Sequence, residues 1–203
     1  MIESGTAWLA AFAAGAQMAS LSELVAVTLG LSYIVLAIRQ NRACWIAGGA
    51  STAVYFAVFV KAGLLLQAAL QVFYVVLSIY GWLAWREGGA TPARPRSWPL
   101  SRHLLAVLVV LLATAASTLL LSRFTDAAAP LADSLGTWAS VVATWLMARR
   151  YLETWFWWML IDSGLAALFA SQGLAFTAGL YLTYGLLAIG GWRAWRRSLL
   201  ETG

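Results

Sequence analysis

Long apolar runs separated by short polar breaks set the plan of this chain. Seven runs are long enough, or nearly so, to cross a hydrocarbon layer as helices: about 21–38, 45–60, 64–85, 104–122, 131–148, 154–170 and 174–195. A spanning helix needs roughly 17–25 residues. The breaks fall at Arg39-Gln40-Asn41-Arg42, Lys61-Ala62-Gly63, Arg86 to Arg102, Arg123 to Pro130, Arg149-Arg150 and Gln172-Gly173. The runs do not alternate with period two, which excludes barrel strands. Residues 86–102 carry three of the four prolines and two glycines and read as a linker. The apolar segment Ala7 to Ala19 is too short to span and lacks the basic start of a signal peptide. It reads as an interfacial helix or a lead-in.

The pattern repeats. Shifted by 110 residues, positions 21–86 lie on 131–196 without a gap, and 18 of 66 are identical. Shared apolar composition inflates that count, so the weight falls on the rarer matches. Gly81-Trp82-Leu83-Ala84-Trp85-Arg86 meets Gly191-Trp192-Arg193-Ala194-Trp195-Arg196. Tyr74 meets Tyr184, Gly63 meets Gly173, Trp45 meets Trp155, Arg39 meets Arg149, and Glu23 meets Asp133. Each repeat holds three spans and one span lies between them, so both repeats face the same way. The predicted fold is an all-α integral membrane protein of seven transmembrane helices, two parallel three-helix repeats joined by a linker helix (3+1+3). Its segments are an N-terminal lead-in over 1–20, the first repeat over 21–86, a linker with the fourth span over 87–130, the second repeat over 131–196, and a tail over 197–203. Parallel repeats about an axis along the membrane normal are a transporter architecture, with the substrate held near mid-membrane at the repeat interface.

Composition agrees. The chain has 203 residues, 62% hydrophobic and 10% charged, with too few charges to cover a soluble core of this apolarity. The net charge of +5 is no nucleic-acid footprint, because twelve of the thirteen basic residues are arginines scattered between apolar runs. Eleven of them (Arg39, Arg42, Arg86, Arg94, Arg96, Arg102, Arg149, Arg150, Arg193, Arg196, Arg197) fall on one side of the predicted topology. Only Lys61 and Arg123 fall on the other. The positive-inside rule then puts the N-terminus outside and the C-terminus in the cytoplasm. One histidine and one cysteine leave no ligand set for a metal and no intrachain disulfide. No cofactor motif and no ATP-binding segment is present, and one isolated mid-span acid without a paired base is poor apparatus for an enzyme.

Polar residues inside spans are costly and usually functional. Asp162 is the one ionisable residue placed near the middle of a span, and Trp155, Trp158 and Asp162 share one helical stripe at i, i+3, i+7. An aromatic wall beside an acid suits an organic cation. Trp157 points elsewhere, and Trp8, Trp98, Trp157 and Trp195 read as interfacial belt residues. Gln67 and Gln71 form an i, i+4 pair with Tyr74 one turn on; they either bond another helix or read ligand hydroxyls and amides. Thr177, Tyr181 and Tyr184 take the corresponding places in the last span, and Thr144 and Trp145 lie at matching depth in the fifth. Glu23 and Asp133 start spans, as helix caps or as ligands. Gly48-Gly49 marks close helix packing.

These residues also resemble a known family. Leu70-Gln71-Val72-Phe73-Tyr74 through Tyr80-Gly81-Trp82 is similar to the third span of the PnuC family of vitamin transporters. So are Ala143 to Arg150, the run Glu153-Thr154-Trp155-Phe156-Trp157-Trp158 with Asp162, and the closing Gly179-Leu180-Tyr181 and Gly191-Trp192. The resemblance covers nearly the whole chain from about residue 21. It implies the 3+1+3 fold, related to full-length SWEET sugar transporters, and uptake of a vitamin-like nucleoside, most often nicotinamide riboside, across the bacterial inner membrane. It implies facilitated diffusion, with the substrate trapped by a cytoplasmic kinase. The family's WxxW, with an acid or amide four residues on, falls on Trp155, Trp158 and Asp162, and its third-span Gln falls on Gln71. Thr144 departs from the Gln common among nicotinamide riboside members, and Phe156-Trp157 is unusual as well.

The expected function is therefore uptake of nicotinamide riboside, whose pyridinium Trp155 and Trp158 would sandwich while Asp162 balances its charge. Gln71, Gln67, Tyr74, Thr144, Tyr181 and Tyr184 complete the expected site. Thiamine, also a cation, is the alternative that Thr144 motivates; neutral, larger riboflavin fits less well. A vitamin-binding sensor that does not transport is the reading from another class. The expected partners are the vitamin, the lipid bilayer and, through trapping, a kinase. A homo-oligomer is compatible with all of these readings.

Overall fold

The computed structural model of the chain describes residues 12–14, 21–61, 65–86, 94–125, 130–171, 173 and 175–201, without the side chains of Glu23, Leu65, Leu66 and Gln67. Seven helices have defined bounds: α1 (Leu21–Ile38), α2 (Cys44–Lys61), α3 (Leu65–Ala84), α4 (Leu100–Phe124), α5 (Pro130–Ala148), α6 (Thr154–Ser171) and α7 (Ala175–Leu200). Among the described residues there is no strand, only an isolated bridge between Arg96 and Tyr151. Of the lead-in, residues 12–14 are helical and Phe12 packs its ring 5.2 Å from that of Phe176; the rest, with Trp8, lies outside the described residues.

The outer surface is apolar. Leu104, Leu105, Leu108, Leu111, Leu112, Leu119 and Leu120 of α4 are all more than half exposed. Exposure of this kind over a whole helix is the reverse of a soluble fold. By length and apolarity α2 and α4 pass as membrane-crossing helices, with mean hydropathy 1.3 and 2.7. Helices α1 and α3 carry shorter apolar stretches, Leu24–Ile38 and Ala68–Ala84. The second half averages lower because it concentrates Ser, Thr, Gly and Trp, several of which are buried: Ser134, Ser140, Thr144, Thr154 and Gly191.

Packing divides the helices. α1 packs on α2 and α2 on α3; α5 packs on α6 and α6 on α7. Across the two sets α1 meets α7 and α3 meets α5, while α4 packs along α5 and reaches α6 at its first turn, where His103 meets Trp157. Local geometry recurs at the 110-residue offset. Gln40 (φ 53°) and Arg150 (φ 56°) are the non-glycine residues with positive φ among those described. Around the first, the amides of Gln40 and Asn41 donate to Ala37 and Leu36; around the second, those of Arg150 and Tyr151 donate to Met147 and Leu146. This is the Schellman closure that satisfies the orphan carbonyls of a helix end. Both turns therefore reverse the chain the same way.

Above these turns sits a core of four tryptophans. Trp45 and Trp155 start α2 and α6; Trp85 and Trp195 end the third helix of each set. Trp45 meets Trp85 edge-on at 5.6 Å, Trp155 meets Trp195 edge-on at 5.4 Å, and Trp85 and Trp195 meet at 6.1 Å. Each closing indole reaches into the other set: Trp85 Nε1 donates to the Ala148 carbonyl at 3.0 Å and Trp195 Nε1 to that of Ala37 at 3.1 Å. The interfacial role expected of Trp195 is thus corrected. It is fully buried, because its partner Ala37 lies inside the bundle. Trp85→Phe and Trp195→Phe should each remove one buried hydrogen bond to a backbone carbonyl and cost about 1 kcal/mol. Thermal unfolding in detergent should read nearly equal losses, about 2–4 °C, for the two variants.

The end of the proline-rich linker is not loose. Arg96 N donates to the Arg150 carbonyl at 2.9 Å and Leu152 N to that of Arg96 at 2.8 Å. The Glu153 carboxylate accepts from the Ser97 hydroxyl and from Trp98 N. Trp98 packs on Trp145 and Tyr151, and Trp157 donates to His103 Nδ1 at 3.2 Å. This strap sets the start of α4 against the α5–α6 turn. It also takes Trp145 and Trp157 away from the bundle interior.

Candidate functional site

The interior polar residues converge at mid-depth from helices of both sets. From α6 comes Asp162, 4% exposed. From α7 come Tyr181 and Tyr184, whose rings meet edge-on at 5.9 Å. Tyr181 lies within electrostatic range of Asp162, Tyr55 and Tyr74, and Tyr184 within range of Asp162, Tyr55 and Tyr181. From α3 come Gln71, which is buried, and Tyr74, whose hydroxyl faces that of Ser140 on α5. The Tyr184 hydroxyl lies over Gly30 of α1, 3.3 Å from where a Cβ would stand. Gly185, one turn from Tyr181, leaves room for Asp162, whose Cβ would lie 3.7 Å from an added methyl.

Two features of this cluster call for a ligand. Desolvation is the only influence resolved at Asp162, and among the described residues no cation pairs with it. A buried unpaired carboxylate costs several kcal/mol. Trp158, one turn before Asp162, is half-buried, and its Nε1 has no acceptor. An unmet buried donor costs about 1–3 kcal/mol. A carboxyl group and an indole donor at adjacent turns, ringed by tyrosines, fit a small organic cation that also carries hydrogen-bond acceptors.

The other expected residues are placed differently. Trp155 is 2% exposed, wedged on Gly191 and capped by Trp195. As it stands, its ring has no open face for a pyridinium. Thr144 is buried and donates to the Ser140 carbonyl at 2.7 Å, so its proton is engaged in its own helix. The side chain of Gln67 lies outside the described residues. Asp133 is exposed in the first turn of α5, away from the cluster. Gly48 carries the Tyr33 ring and Gly49 faces Ser78, so the pair does serve close packing. Sequence reading missed Tyr55, Ser140 and Gly30. The spacing of Tyr55 on α2 was the available signal for one of them, whereas a serine and a glycine in apolar helices give none. Among the described residues no group of His, Cys, Asp and Glu is placed to hold a metal.

A riboflavin/roseoflavin transporter, RibM of Streptomyces davaonensis, is 29% identical over 181 residues, 86% of this chain and 84% of its own. The nicotinamide riboside transporter PnuC of Escherichia coli is 27% identical over 217 residues, 94% of this chain and 91% of its own. The crystal structure of a vitamin B3 transporter PnuC superposes with a TM-score of 0.73, covering 97% of this chain and 91% of that one at 21% identity, a likeness of fold. The family model for the nicotinamide mononucleotide transporter matches residues 20–197, the two three-helix sets and everything between them, so the chain belongs to that family.

Proposed function

We propose that the chain is a vitamin transporter of the bacterial inner membrane that takes up nicotinamide riboside by facilitated diffusion, a cytoplasmic kinase trapping the substrate by phosphorylation. The observation that carries this reading is the buried Asp162 with no protein cation beside it. A pyridinium supplies the missing charge. Trp158 offers its ring and its free N–H, and Gln71, Tyr181 and Tyr184 offer polar contacts to ribose and carboxamide; Tyr74 lines the site with its hydroxyl turned to that of Ser140. Trp155 keeps a packing role beneath the site. Thr144 on α5 and Gln67 on α3 belong to the proposed site as its polar neighbours.

The reading includes a 3+1+3 bundle: repeats 21–86 and 131–196 parallel, the α4 span in the linker 87–130, a lead-in over 1–20 and a cytoplasmic tail over 197–203. Eleven arginines on one face support an outside N-terminus and a cytoplasmic C-terminus. The four-tryptophan core then closes the cytoplasmic end, and transport opens it by rocking one repeat against the other. The chain does no chemistry on its substrate.

A second reading has one specific support. The RibM relative is named for riboflavin, and its identity to this chain is similar to that of the nicotinamide riboside transporter. Riboflavin is uncharged, so it leaves Asp162 unneutralised. Titration of the purified protein's tryptophan fluorescence with nicotinamide riboside, thiamine and riboflavin separates the readings. Proteoliposomes then test flux of whichever binds. Saturable quenching and uptake with nicotinamide riboside are expected. Response to thiamine alone or riboflavin alone transfers the site to that vitamin, and binding without flux replaces the transporter by a sensor.

A further inference from the structure

The two repeats place equivalent tyrosines, Tyr74 and Tyr184, opposite equivalent positions of the other repeat, Ser140 and Gly30. The offset is 110 residues in both pairs. The helix contacts share the exchange: α3 lies on α5, and α7 lies on α1. At one pair the residue is a serine, and its hydroxyl faces that of Tyr74. At the other pair it is a glycine, and the Tyr184 oxygen stands 3.3 Å from the absent Cβ. The groups resolved around the Tyr184 hydroxyl are Tyr55, Tyr181 and Asp162, with no counterpart of the serine that faces Tyr74. The hydroxyl of Ser51, 3.7 Å from the same absent Cβ, donates to the Ala26 carbonyl at 2.8 Å and is engaged.

We infer that the Ser140/Gly30 difference decides which of two equivalent tyrosine hydroxyls reads the ligand: Ser140 occupies Tyr74, and Gly30 leaves Tyr184 free to bond an acceptor or hydroxyl on the substrate. This rests on the proposed vitamin site and names its specificity-determining residues. A symmetric bundle cannot hold an asymmetric ligand equally from both repeats. Breaking the symmetry at one small residue leaves the tyrosines themselves unchanged. The geometry has a direct corollary. A serine Oγ–H donating at about 2.8 Å puts its Cβ about 3.5 Å from the acceptor, close to the distance found at Gly30. Gly30→Ser should therefore rebuild at Tyr184 the arrangement that Tyr74 already has.

Binding is measured by fluorescence titration with nicotinamide riboside for Gly30→Ser, Gly30→Ala, Tyr184→Phe and Tyr74→Phe. Tyr184→Phe and Gly30→Ser should each weaken binding about 10-fold, a hydrogen bond's share. Gly30→Ala, which adds the carbon without the hydroxyl, and Tyr74→Phe should stay within about 3-fold of the parent. Equal losses for Tyr74→Phe and Tyr184→Phe would overturn the assignment. So would equal losses for Gly30→Ala and Gly30→Ser. Melting temperature gives a readout independent of any vitamin. Gly30→Ser should melt about 2–4 °C above Gly30→Ala, and the difference should vanish in the Tyr184→Phe background. If it persists there, the serine does not engage Tyr184 and the inference fails. If the parent protein binds no nicotinamide riboside, the vitamin reading fails while the melting cycle still decides the tyrosine pairing; the titrations are then repeated with the vitamin that does bind.

Discussion

Gly191→Ala should leave little folded protein in detergent extracts, and Gly81→Ala should do the same. An alanine Cβ at 191 would stand 2.5 Å from the Trp155 ring, nearer than side chains ever approach. At 81 it would collide with Trp45 in the same way. Neither ring can retreat. Trp155 is 2% exposed with Trp195 edge-on behind it, and Trp45 is 2% exposed between Tyr33 and Trp85. Overpacking a tight core ordinarily costs about 1–3 kcal/mol, and occasionally more where nothing can shift. Here the obstacle is the fused ring rather than a flexible tip. Size-exclusion profiles and melting temperatures of the two variants are the measurement. Gly190→Ala, one residue away with open space around it, is the control and should behave as the parent does. A normal melt for Gly191→Ala would mean that α7 stands farther from α6 than described.

Asp162→Asn should lower nicotinamide riboside uptake in proteoliposomes by at least about 30-fold. Removing one member of a buried charge pair costs about 2–5 kcal/mol, and 1.4 kcal/mol is tenfold. The substitution keeps the shape of the side chain and one acceptor oxygen while exchanging the other oxygen for an NH2 donor, so the loss reports chiefly the charge. The unliganded variant should also melt higher than the parent, because a buried carboxylate without a partner is relieved. Opposite signs in uptake and stability are the signature of a residue kept for its ligand. Should riboflavin be the substrate instead, Asp162→Asn would transport it as well as the parent does. Unchanged uptake of the pyridinium nucleoside would remove Asp162 from the site.

The periodic features were legible in the chain. Helix limits follow from apolar runs and their breaks, and the 110-residue offset matched Arg39 with Arg149 at the turns, Gly81 with Gly191 and Trp45 with Trp155; that each glycine carries the tryptophan of its own repeat is a contact of the folded chain. Asp162 stood out because a charge inside an apolar run has no other explanation at low cost. Stripe reasoning also grouped Trp155, Trp158 and Asp162 on the inner side of α6. It did not separate their depths: Trp155 is sealed in the core by Gly191 and Trp195, whereas Trp158 is only half-buried. Trp195 shows the same gap. At the end of an apolar run a tryptophan reads as a belt residue, and only the approach of α1, with its Ala37 carbonyl, makes it a core residue.

Thr144, Gly30 and Ser140 mark the boundary between the two kinds of knowledge. The polarity of Thr144 is written in the chain, but its proton goes to its own helix, a matter of one rotamer. Gly30 and Ser140 are inconspicuous in a list of residues, and their meaning depends on which tyrosine lies across from each. Local sequence dictates where a helix begins, how it turns and which face is apolar, because those follow from bonding and periodicity within a few residues. Which donor is satisfied and which ring is covered depends on atoms brought from tens of residues away, and for Trp195 and Ala37 from 158. Those contacts exist only after the two repeats have closed on one another.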